Sequence, residues 1–326
     1  MQLRSSFHFV LSTALSAALS GCFVISGNVN PFSSSAKPLE EHKVSGSGRN
    51  RIVLLDISGP ITSQPSGDPF GLHTRESTVA RVDAALRKAR DDDRVRALIL
   101  RINSPGGTVT ASDIIYSEIK RFRQDTNLPV IAEIHDIGAS GAYYAALAAD
   151  EIVAHPTSVV GSVGVLMQSV SVSGLMKKIG VANQTITTGE MKTSGSPLDE
   201  MTPEQRAVLQ SVVDDMYDRF VSLVVENRPN LTEEMDRQMR DGRVFSARQA
   251  VAGGLVDRIE YLDDTIARAK QKAGIEDATV VMYKQPNEYV RGPYSQSGVA
   301  PTQMNLFNIA PGATPATPRL LYQWIP

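Results

Sequence analysis

The sequence predicts an α/β fold in which helices cover a mainly parallel sheet. Apolar runs of the length of buried strands alternate with segments whose apolar residues recur at helical spacing. Such alternation is typical of parallel sheets, because each connection between neighbouring strands places a helix against one face. The composition is that of a globular protein, since 42% of the 326 residues are hydrophobic and 21% are charged.

The predicted elements begin at residue 51 and alternate as far as residue 134. In order they are a strand at 51–57, a helix at 77–90, a strand at 95–102, a helix at about 111–123 and a strand at 129–134. Beyond Lys192 the chain is predicted to be mainly helical. Thr202-Pro203-Glu204-Gln205 marks one helix start, because it combines a capping threonine, a proline at the first helical position and a glutamine three residues after the cap.

The N-terminus has the features of an export signal. Arg4 precedes an apolar run, residues 9–19, that is too short to span a bilayer. The run ends in Leu-Ser-Gly-Cys at Cys22, the single cysteine of the chain, and so resembles the lipobox of bacterial lipoproteins. A lipidated Cys22 would anchor the protein to a membrane of the bacterial cell envelope, with the rest of the chain outside the cytoplasm. An uncleaved signal anchor and a secretory signal with a chance cysteine are the alternatives.

Composition divides the chain into four parts. We expect a leader at 1–22, a flexible tether at 23–50 that is rich in Ser, Gly, Asn and Pro, a folded domain at 51–285 and a disordered or loosely docked tail at 286–326. Residues 320–325 of that tail are apolar enough to dock. The net charge of -2 and the pI near 6.2 give no support for nucleic-acid binding.

Ser140 is the candidate nucleophile. It lies in Ile137-Gly-Ala-Ser-Gly-Ala-Tyr-Tyr144, directly after a predicted strand. Small residues on both sides permit a sharp strand-to-helix turn with the hydroxyl at its apex, which is the arrangement of a nucleophile elbow. Tight turns and helix caps use the same residues, so this cluster alone does not identify an enzyme.

The histidines are poorly placed to activate Ser140. His155 is the one histidine that follows it, whereas an α/β-hydrolase orders its triad as serine, acid and then histidine. His73 and His135 precede it, an order that other serine proteases use. A lysine is the alternative base if burial lowers its pKa from about 10.4 toward 7–8. Lys192 is the candidate, because it lies in a loop of small residues after a predicted strand, with Glu190 close by.

Acyl transfer also needs backbone N–H groups aimed at the developing negative charge. The turn Asn103-Ser-Pro-Gly-Gly107 ends a predicted strand and could present one such donor, and the N–H of Gly141 could be the second. A plain glycine turn is the alternative. A phosphate-binding loop is disfavoured, since the Gly-Lys-Ser/Thr ending of such loops is missing.

Taken together, the motifs resemble those of the short form of the bacterial signal peptide peptidase A (protease IV) family. The resemblance covers about residues 51–272 and is carried, in chain order, by NSPGG, GASGAYYAALAAD, VVGSVGV, GEMKTSGSP, MTPEQ, DGRVFSARQA and GGLVD. It implies a Clp/crotonase-like fold of stacked β-β-α units with an added helical region and one main domain. It also implies a serine nucleophile at Ser140, a lysine base at Lys192 and an oxyanion hole at Gly107 and Gly141. Ser162 matches a serine that orients the lysine.

The resemblance further implies a homo-oligomeric ring whose dyads are shared between subunits, and no cofactor. The expected function is therefore cleavage of unfolded hydrophobic peptides, such as spent signal peptides, by a membrane-tethered serine endopeptidase. A crotonase-like acyl-CoA enzyme and a non-catalytic, peptide-binding envelope lipoprotein are the alternatives.

Overall fold

The computed structural model describes residues 38–67, 74–286, 288, 290, 292–295 and 320–324. Residues Pro38–Pro326 form one compact unit. The described part of this unit is an α/β structure with one main domain, as the sequence predicts. The predicted leader, residues 1–22, lies outside the described residues.

The strands of the described residues are β1 (Glu40–Ser47), β2 (Arg51–Ser58), β3 (Ser66–Gly67), β4 (Thr74–Arg75), β5 (Val95–Ser104), β6 (Gly106–Thr108), β7 (Val130–Ala139), β8 (Glu151–Ala154), β9 (Val159–Gly161), β10 (Leu166–Met167), β11 (Val244–Ser246), β12 (Arg258–Ile259), β13 (Ala278–Lys284) and β14 (Leu320–Gln323). The helices are α1 (Thr78–Asp91), α2 (Val109–Thr126), α3 (Gly141–Ala146), α4 (Ser173–Lys178), α5 (Pro203–Asn227), α6 (Glu233–Met239), α7 (Ala247–Ala252) and α8 (Leu262–Ala273), with a 3₁₀ turn at Glu190–Thr193.

Within the described residues, nine strands form the main sheet. Its order is β1-β13-β2-β5-β7-β8-β12, with β9 paired to β7 and to β11. All pairs from β13 to β12 are parallel, and so is β7 with β9. Strand β7 therefore pairs with β8 along its first half and with β9 along its last residues, so its carboxyl end lies between β5 and β9.

The central strands form because nearly every residue in them is apolar and both faces are covered. Alternate side chains of β2 point to opposite faces: Val53 and Leu55 belong to the larger core, which also contains apolar residues of α1 and α2. Ile52 and Leu54 belong to a second core that includes the apolar face of α8. The predicted strands and helices between residues 51 and 134 are thus confirmed, with ends that differ by at most five residues.

Side chains cap the starts of two of these helices, and the cap predicted at Thr202 is confirmed. The Ser77 side chain accepts a hydrogen bond from the Ala80 N–H at 3.1 Å. Thr202 and Gln205 form the reciprocal capping box at the start of α5. No helix among the described residues is both long enough and apolar enough to cross a bilayer.

The prediction that residues 23–50 form a flexible tether is wrong for residues 40–47. These residues form β1, which pairs antiparallel with β13 at the edge of the main sheet. Ion pairs from Glu41 to Arg51 and Arg94, each at 2.9 Å, hold this polar strand to the domain. Its pairing partner lies more than 230 residues away, so no local pattern announces it.

Two further sequence-based predictions differ from the structure. The described end of the tail, residues 320–323, is not loose but forms β14 between β6 and β10. The strand predicted just before Lys192 is absent from the described residues: residues 181–187 form no regular secondary structure, and most of them are exposed.

Arg228, at the end of α5, ties the helical region to the sheet. Its guanidinium donates to the Gly254 carbonyl at 2.9 Å and to both carboxylate oxygens of Asp257 at 2.9 and 2.7 Å. Asp257 also accepts a hydrogen bond from the Ile152 N–H at 2.7 Å, at the start of β8. Burial of Asp257 disfavours its charged form, but these hydrogen bonds outweigh burial and lower the pKa of its carboxyl group.

We expect Arg228→Met to lower the free energy of unfolding by about 3 kcal/mol at neutral pH, because it leaves a partly buried carboxylate without its charged partner. A carboxyl group with a lowered folded-state pKa stabilises the fold above its ordinary value of 3.8, and this contribution is lost as the pH falls through the folded-state value. The deficit of the variant should therefore shrink below that ordinary value. Urea unfolding at several pH values measures it.

Arg237→Met is the matched control, because Arg237 lies on α6 and pairs with an exposed carboxylate. We expect it to unfold like the wild type. Equal unfolding of the Arg228 variant and the wild type would contradict the role of this anchor.

Candidate active site

Ser140 lies at the turn between the end of β7 and the start of α3. Its backbone has φ 55° and ψ −120°, a conformation that residues with a side chain rarely adopt. The predicted sharp strand-to-helix turn is thus confirmed. Strained backbone conformations cluster at active sites, so this conformation makes Ser140 a candidate functional residue.

Hydrogen bonds on both sides of Ser140 hold this conformation. Its N–H donates to the Gly161 carbonyl at 2.7 Å, at the end of β9. Its own carbonyl accepts from the Tyr144 N–H at 2.9 Å, in the first turn of α3. The cost of an unusual backbone conformation is about 1–3 kcal/mol, and these pairings, with the buried residues of α3, offset it.

Two glycines next to Ser140 are required by close packing. A Cβ atom on Gly107 would lie 1.9 Å from the Ile61 carbonyl oxygen, and one on Gly141 would lie 2.2 Å from Ser112 Oγ. Real Cβ contacts are never this short. Glycine is therefore needed at both positions so that neighbouring chain segments can approach the backbone.

The backbone direction of β6 decides what the N–H of Gly107 faces. The Gly106 carbonyl accepts from the Ile61 N–H and the Thr108 N–H donates to the Ile61 carbonyl, both at 2.9 Å. Because backbone groups of successive strand residues point to opposite sides, those of Gly107 point away from Ile61. They face Tyr322, which lies opposite Gly107 in the register of β6 and β14.

The carbonyl oxygen of Tyr322 also lies beside Gly141. It is 3.0 Å from the position that a Cβ atom on Gly141 would occupy and 2.1 Å from the corresponding position on Gly106. The latter position is in turn 2.7 Å from the Gly141 nitrogen. The structure therefore brings Gly107, Gly141 and Ser140 together around one carbonyl group.

Ser162 lies next to this arrangement. It follows β9 directly, and the last residue of β9, Gly161, is the residue that accepts from Ser140. Ser162 is buried, has φ 52° and donates its N–H to the Arg243 carbonyl at 2.9 Å. The predicted site residues of β6, β7 and β9 are thus neighbours in the fold.

Lys192 and Ser140 differ in their exposure to solvent. Lys192 lies in the 3₁₀ turn Glu190–Thr193 with an exposed side chain, whereas Ser140 is 1% exposed. No hydrogen bond of the described residues joins the two. The turn itself is fixed, because the Gln205 side chain donates to the Glu190 carbonyl at 2.6 Å and to Thr193 Oγ1 at 3.3 Å.

His135 and His155 make their polar side-chain contacts to residues other than Ser140. His155 makes its side-chain hydrogen bond to Thr157 at 2.9 Å. His135 lies 3.6 Å from the buried carboxylate of Glu133, which raises the pKa of its imidazole. Neither residue hydrogen-bonds to Ser140, and His73 lies outside the described residues.

Sequence reasoning missed the aromatic group beside the glycines. Tyr322 is fully buried, and its ring stacks on Tyr144 at 5.1 Å between centroids and packs against Phe220 at 4.9 Å. The Tyr144 hydroxyl group donates to the Asp113 carboxylate on α2 at 2.6 Å. Arg219 on α5 donates to the same carboxylate, so this contact joins the two helices. The apolar character of residues 320–325 was the available signal, but it does not say where they dock.

We expect Gly107→Ala to lower the free energy of unfolding by about 2 kcal/mol, because the added methyl group must displace the Ile61 backbone. Gly189→Ala is the matched control: nothing lies within 4 Å of a Cβ atom at Gly189, and its φ of −171° suits any residue. Urea unfolding measures both. Equal unfolding of the two variants would show that Gly107 is not closely packed.

Comparison with known proteins identifies the family. The model of peptidase family S49 matches residues 122–276, which include Ser140, Ser162 and Lys192. A candidate signal peptide peptidase SppA of Enterococcus faecium is 32% identical over 253 residues, which cover 78% of this chain and 72% of that protein. The chloroplastic serine protease SPPA of Arabidopsis thaliana is 31% identical over 246 residues, which cover 74% of this chain and 35% of that protein.

Among solved structures, a ClpP1 variant from Listeria monocytogenes is similar at a TM-score of 0.41 and 18% identity, covering 65% of this chain and 92% of that one. The family is established by the relatives in sequence, which span most of the described domain. The chain belongs to peptidase family S49, the family of signal peptide peptidase A, and is a serine peptidase.

Proposed function

We propose that this protein is a membrane-tethered endopeptidase in which Ser140 is the nucleophile and Lys192 is the general base. The observation that carries the proposal is the position of Ser140: it occupies a strained strand-to-helix turn next to Gly141, and the Tyr322 carbonyl that lies beside Gly141 belongs to the residue paired with Gly107. A nucleophile elbow next to two backbone donors is what acyl transfer requires.

The N–H groups of Gly107 and Gly141 are the proposed oxyanion hole. A peptide carbonyl placed where the Tyr322 carbonyl now lies would have both glycines beside its oxygen. Preorganised donors of this kind stabilise the charge that develops on that oxygen during attack. Regular elements support these N–H groups, because Gly107 is in β6 and Gly141 is the first residue of α3.

In the proposed reaction, the Ser140 hydroxyl attacks the peptide carbonyl while Lys192, in its neutral form, takes the hydroxyl proton. The lysine then gives this proton to the leaving amine as the peptide bond breaks and an acyl-enzyme forms. Water, deprotonated by the lysine, hydrolyses the ester and releases Ser140. Ser162 is proposed to hold the lysine in position, since it lies directly beside the residue that fixes Ser140.

A neighbouring copy of the chain is proposed to complete the dyad. Lys192 is exposed, and no hydrogen bond of the described residues joins it to the buried Ser140 of its own chain. Of the fourteen large hydrophobic side chains that are exposed among the described residues, ten lie between Val170 and Val212, around Lys192 in the sequence. Burial of this apolar surface against a second copy would remove it from water and would also dehydrate the lysine, which favours its neutral form.

The proposed substrates are unfolded hydrophobic peptides near a membrane, such as cleaved signal peptides. The support for this class is family membership and the aromatic side chains that pack against Tyr322. The membrane anchor is proposed at Cys22, in the leader that precedes the described residues. The crotonase-like and non-catalytic alternatives are set aside because the chain belongs to a peptidase family.

We expect Ser140→Ala and Lys192→Ala each to lower kcat/KM for an apolar peptide ester by at least about a thousandfold, because nucleophile and base act as a unit. Lys178→Ala is the matched control for the lysine, since Lys178 is also exposed but lies on α4. Turnover by the purified full-length chain measures the effect. Wild-type turnover in the Lys192 variant would refute the dyad.

Co-expression of the same two inactive variants tests whether the dyad is shared. If each site takes its serine and its lysine from different copies, random assembly leaves about a quarter of the sites with both residues intact. We therefore expect the mixture to regain roughly that fraction of wild-type activity. A mixture as inactive as its components would mean that each chain builds its own dyad.

We expect Cys22→Ser to abolish incorporation of radiolabelled palmitate and to release the protein from the membrane fraction, because at least two acyl chains are needed for stable anchoring. Ser20→Ala, two residues earlier, is the control and should label normally. Unchanged labelling of the Cys22 variant would exclude the lipid anchor.

A further inference from the structure

Ser104 lies where β5 ends and the glycine turn begins. It is the last residue of this strand and lies opposite Gly138 of β7 in the register of the sheet. Although its side chain is polar, Ser104 is fully buried. A hydroxyl group that is removed from water costs free energy unless it is hydrogen-bonded. The hydrogen bond that Ser104 makes therefore indicates what this buried side chain does.

The hydroxyl oxygen of Ser104 accepts a hydrogen bond from the Gly106 N–H at 3.1 Å. The bond spans Pro105, whose nitrogen carries no hydrogen. Serine side chains form turns of this kind with the backbone two residues further along the chain. Because a peptide unit is planar, the direction of its N–H group restrains the whole unit. The bond therefore restrains the peptide plane between Pro105 and Gly106.

The next peptide plane, between Gly106 and Gly107, carries the first N–H group of the proposed oxyanion hole. The Gly106 carbonyl in this plane accepts from the Ile61 N–H at 2.9 Å. Since the peptide is trans, the Gly107 N–H points in the opposite direction, away from Ile61. Gly106 thus lies between two anchored planes, and its φ of 96° is the angle at which both hydrogen bonds form.

Gly106 also packs against the second proposed donor. A Cβ atom on Gly106 would lie 2.7 Å from the Gly141 nitrogen and 3.1 Å from the Ala139 carbonyl oxygen. Glycine by itself does not hold one conformation, because it adopts positive and negative φ about equally readily. The position of Gly106 therefore depends on the groups that bind its N–H and its carbonyl, and Ser104 is the side chain among them.

We propose that Ser104 is a positioning residue for the oxyanion hole: by accepting the Gly106 N–H, it aims the Gly107 N–H at the substrate carbonyl oxygen. The inference rests on the proposed function, which defines that hole. Without the Ser104 oxygen, the Gly106 N–H is buried and unpaired, so the turn gains free energy by rotating toward another acceptor. Rotation misdirects the Gly107 N–H, and a preorganised donor stabilises the developing charge only when it is correctly aimed.

Ser104→Ala in the full-length chain removes the acceptor oxygen. We expect kcat for an apolar peptide ester to fall about thirtyfold while KM changes by at most about twofold, because an oxyanion donor acts mainly in the transition state. The loss should be smaller than the roughly hundredfold or more that removal of a whole donor causes, since the N–H is misdirected and not absent. Wild-type kcat in this variant would overturn the proposal.

Two milder variants separate the hydrogen bond from the shape of the side chain. Ser104→Thr keeps the hydroxyl group, and we expect it to regain most of the lost kcat. Ser104→Cys has nearly the shape of serine, but its sulfur accepts hydrogen bonds weakly, and we expect a kcat about tenfold below that of the wild type. A threonine variant as slow as the alanine variant, or a cysteine variant as fast as the wild type, would contradict the role of this bond.

Ser77→Ala is the matched structural control. Ser77 is also buried, and its hydroxyl oxygen also accepts from a backbone N–H at 3.1 Å, but at the start of α1. Urea unfolding should show a similar loss of stability in the two alanine variants, whereas kcat should fall in the Ser104 variant alone. An equal fall of kcat in the Ser77 variant would reduce Ser104 to a general contribution to stability and overturn the proposal.

A peptide aldehyde, acetyl-Leu-Leu-leucinal, tests the hole directly. The Ser140 oxygen adds to its carbonyl carbon, the C=O π pair moves onto the aldehyde oxygen in the hole, and the hydroxyl proton passes to the base. The corresponding alcohol cannot form this adduct. We expect Ser104→Ala to weaken inhibition by the aldehyde about thirtyfold and by the alcohol at most about twofold.

The two inhibitors also separate this proposal from the proposed function. Equal weakening of both would mean that Ser104 supports peptide binding in general, and the proposal would be wrong. Failure of the dyad mechanism would instead appear as undiminished turnover in the Ser140→Ala or Lys192→Ala variants, whatever the Ser104 variants do.

Discussion

The hydrogen bond from the Ser140 N–H to the Gly161 carbonyl joins the end of one strand to the end of its neighbour, and the site depends on it. Strand β7 changes partners along its length, from β8 to β9, and Ser140 follows directly where the second pairing ends. The pairing of β7 ends here, because β5 ends at Ser104, opposite Gly138, and β9 ends at Gly161, opposite Ala139. The chain then turns sharply into α3, and the positive φ of Ser140 belongs to that turn.

Close approach of backbone to backbone follows from the same turn. Gly141 begins α3 against Ser112, and Gly106 and Gly107 run between Ile61 and the tail strand, so a side chain at any of these positions would collide with its neighbours. Glycine has no Cβ atom, so a carbonyl group can reach N–H groups that are otherwise covered. Behind α3, the buried Tyr143 hydroxyl donates to the Leu255 carbonyl, close to the Arg228–Asp257 anchor. The position of the glycines therefore depends on packing well outside the site.

Local patterns in the sequence were enough for part of this structure. Strands β2, β5 and β7 follow from their buried apolar runs, and the turn at Ser140 follows from the small residues around it. Strands β1 and β14 could not be predicted as such, since polar residues of β1 and a short apolar segment near the C-terminus gain their structure from partners far away in the chain. The surroundings of Lys192 are also beyond local patterns, because the side chain is exposed and its turn is fixed by Gln205 from another helix.

The position of strand β14 follows from one property of the fold. Strand β6 pairs with Ile61 on one side. Without a partner, its other side would expose unpaired backbone N–H and C=O groups, and proteins usually cover such a strand edge. Here β14 covers it.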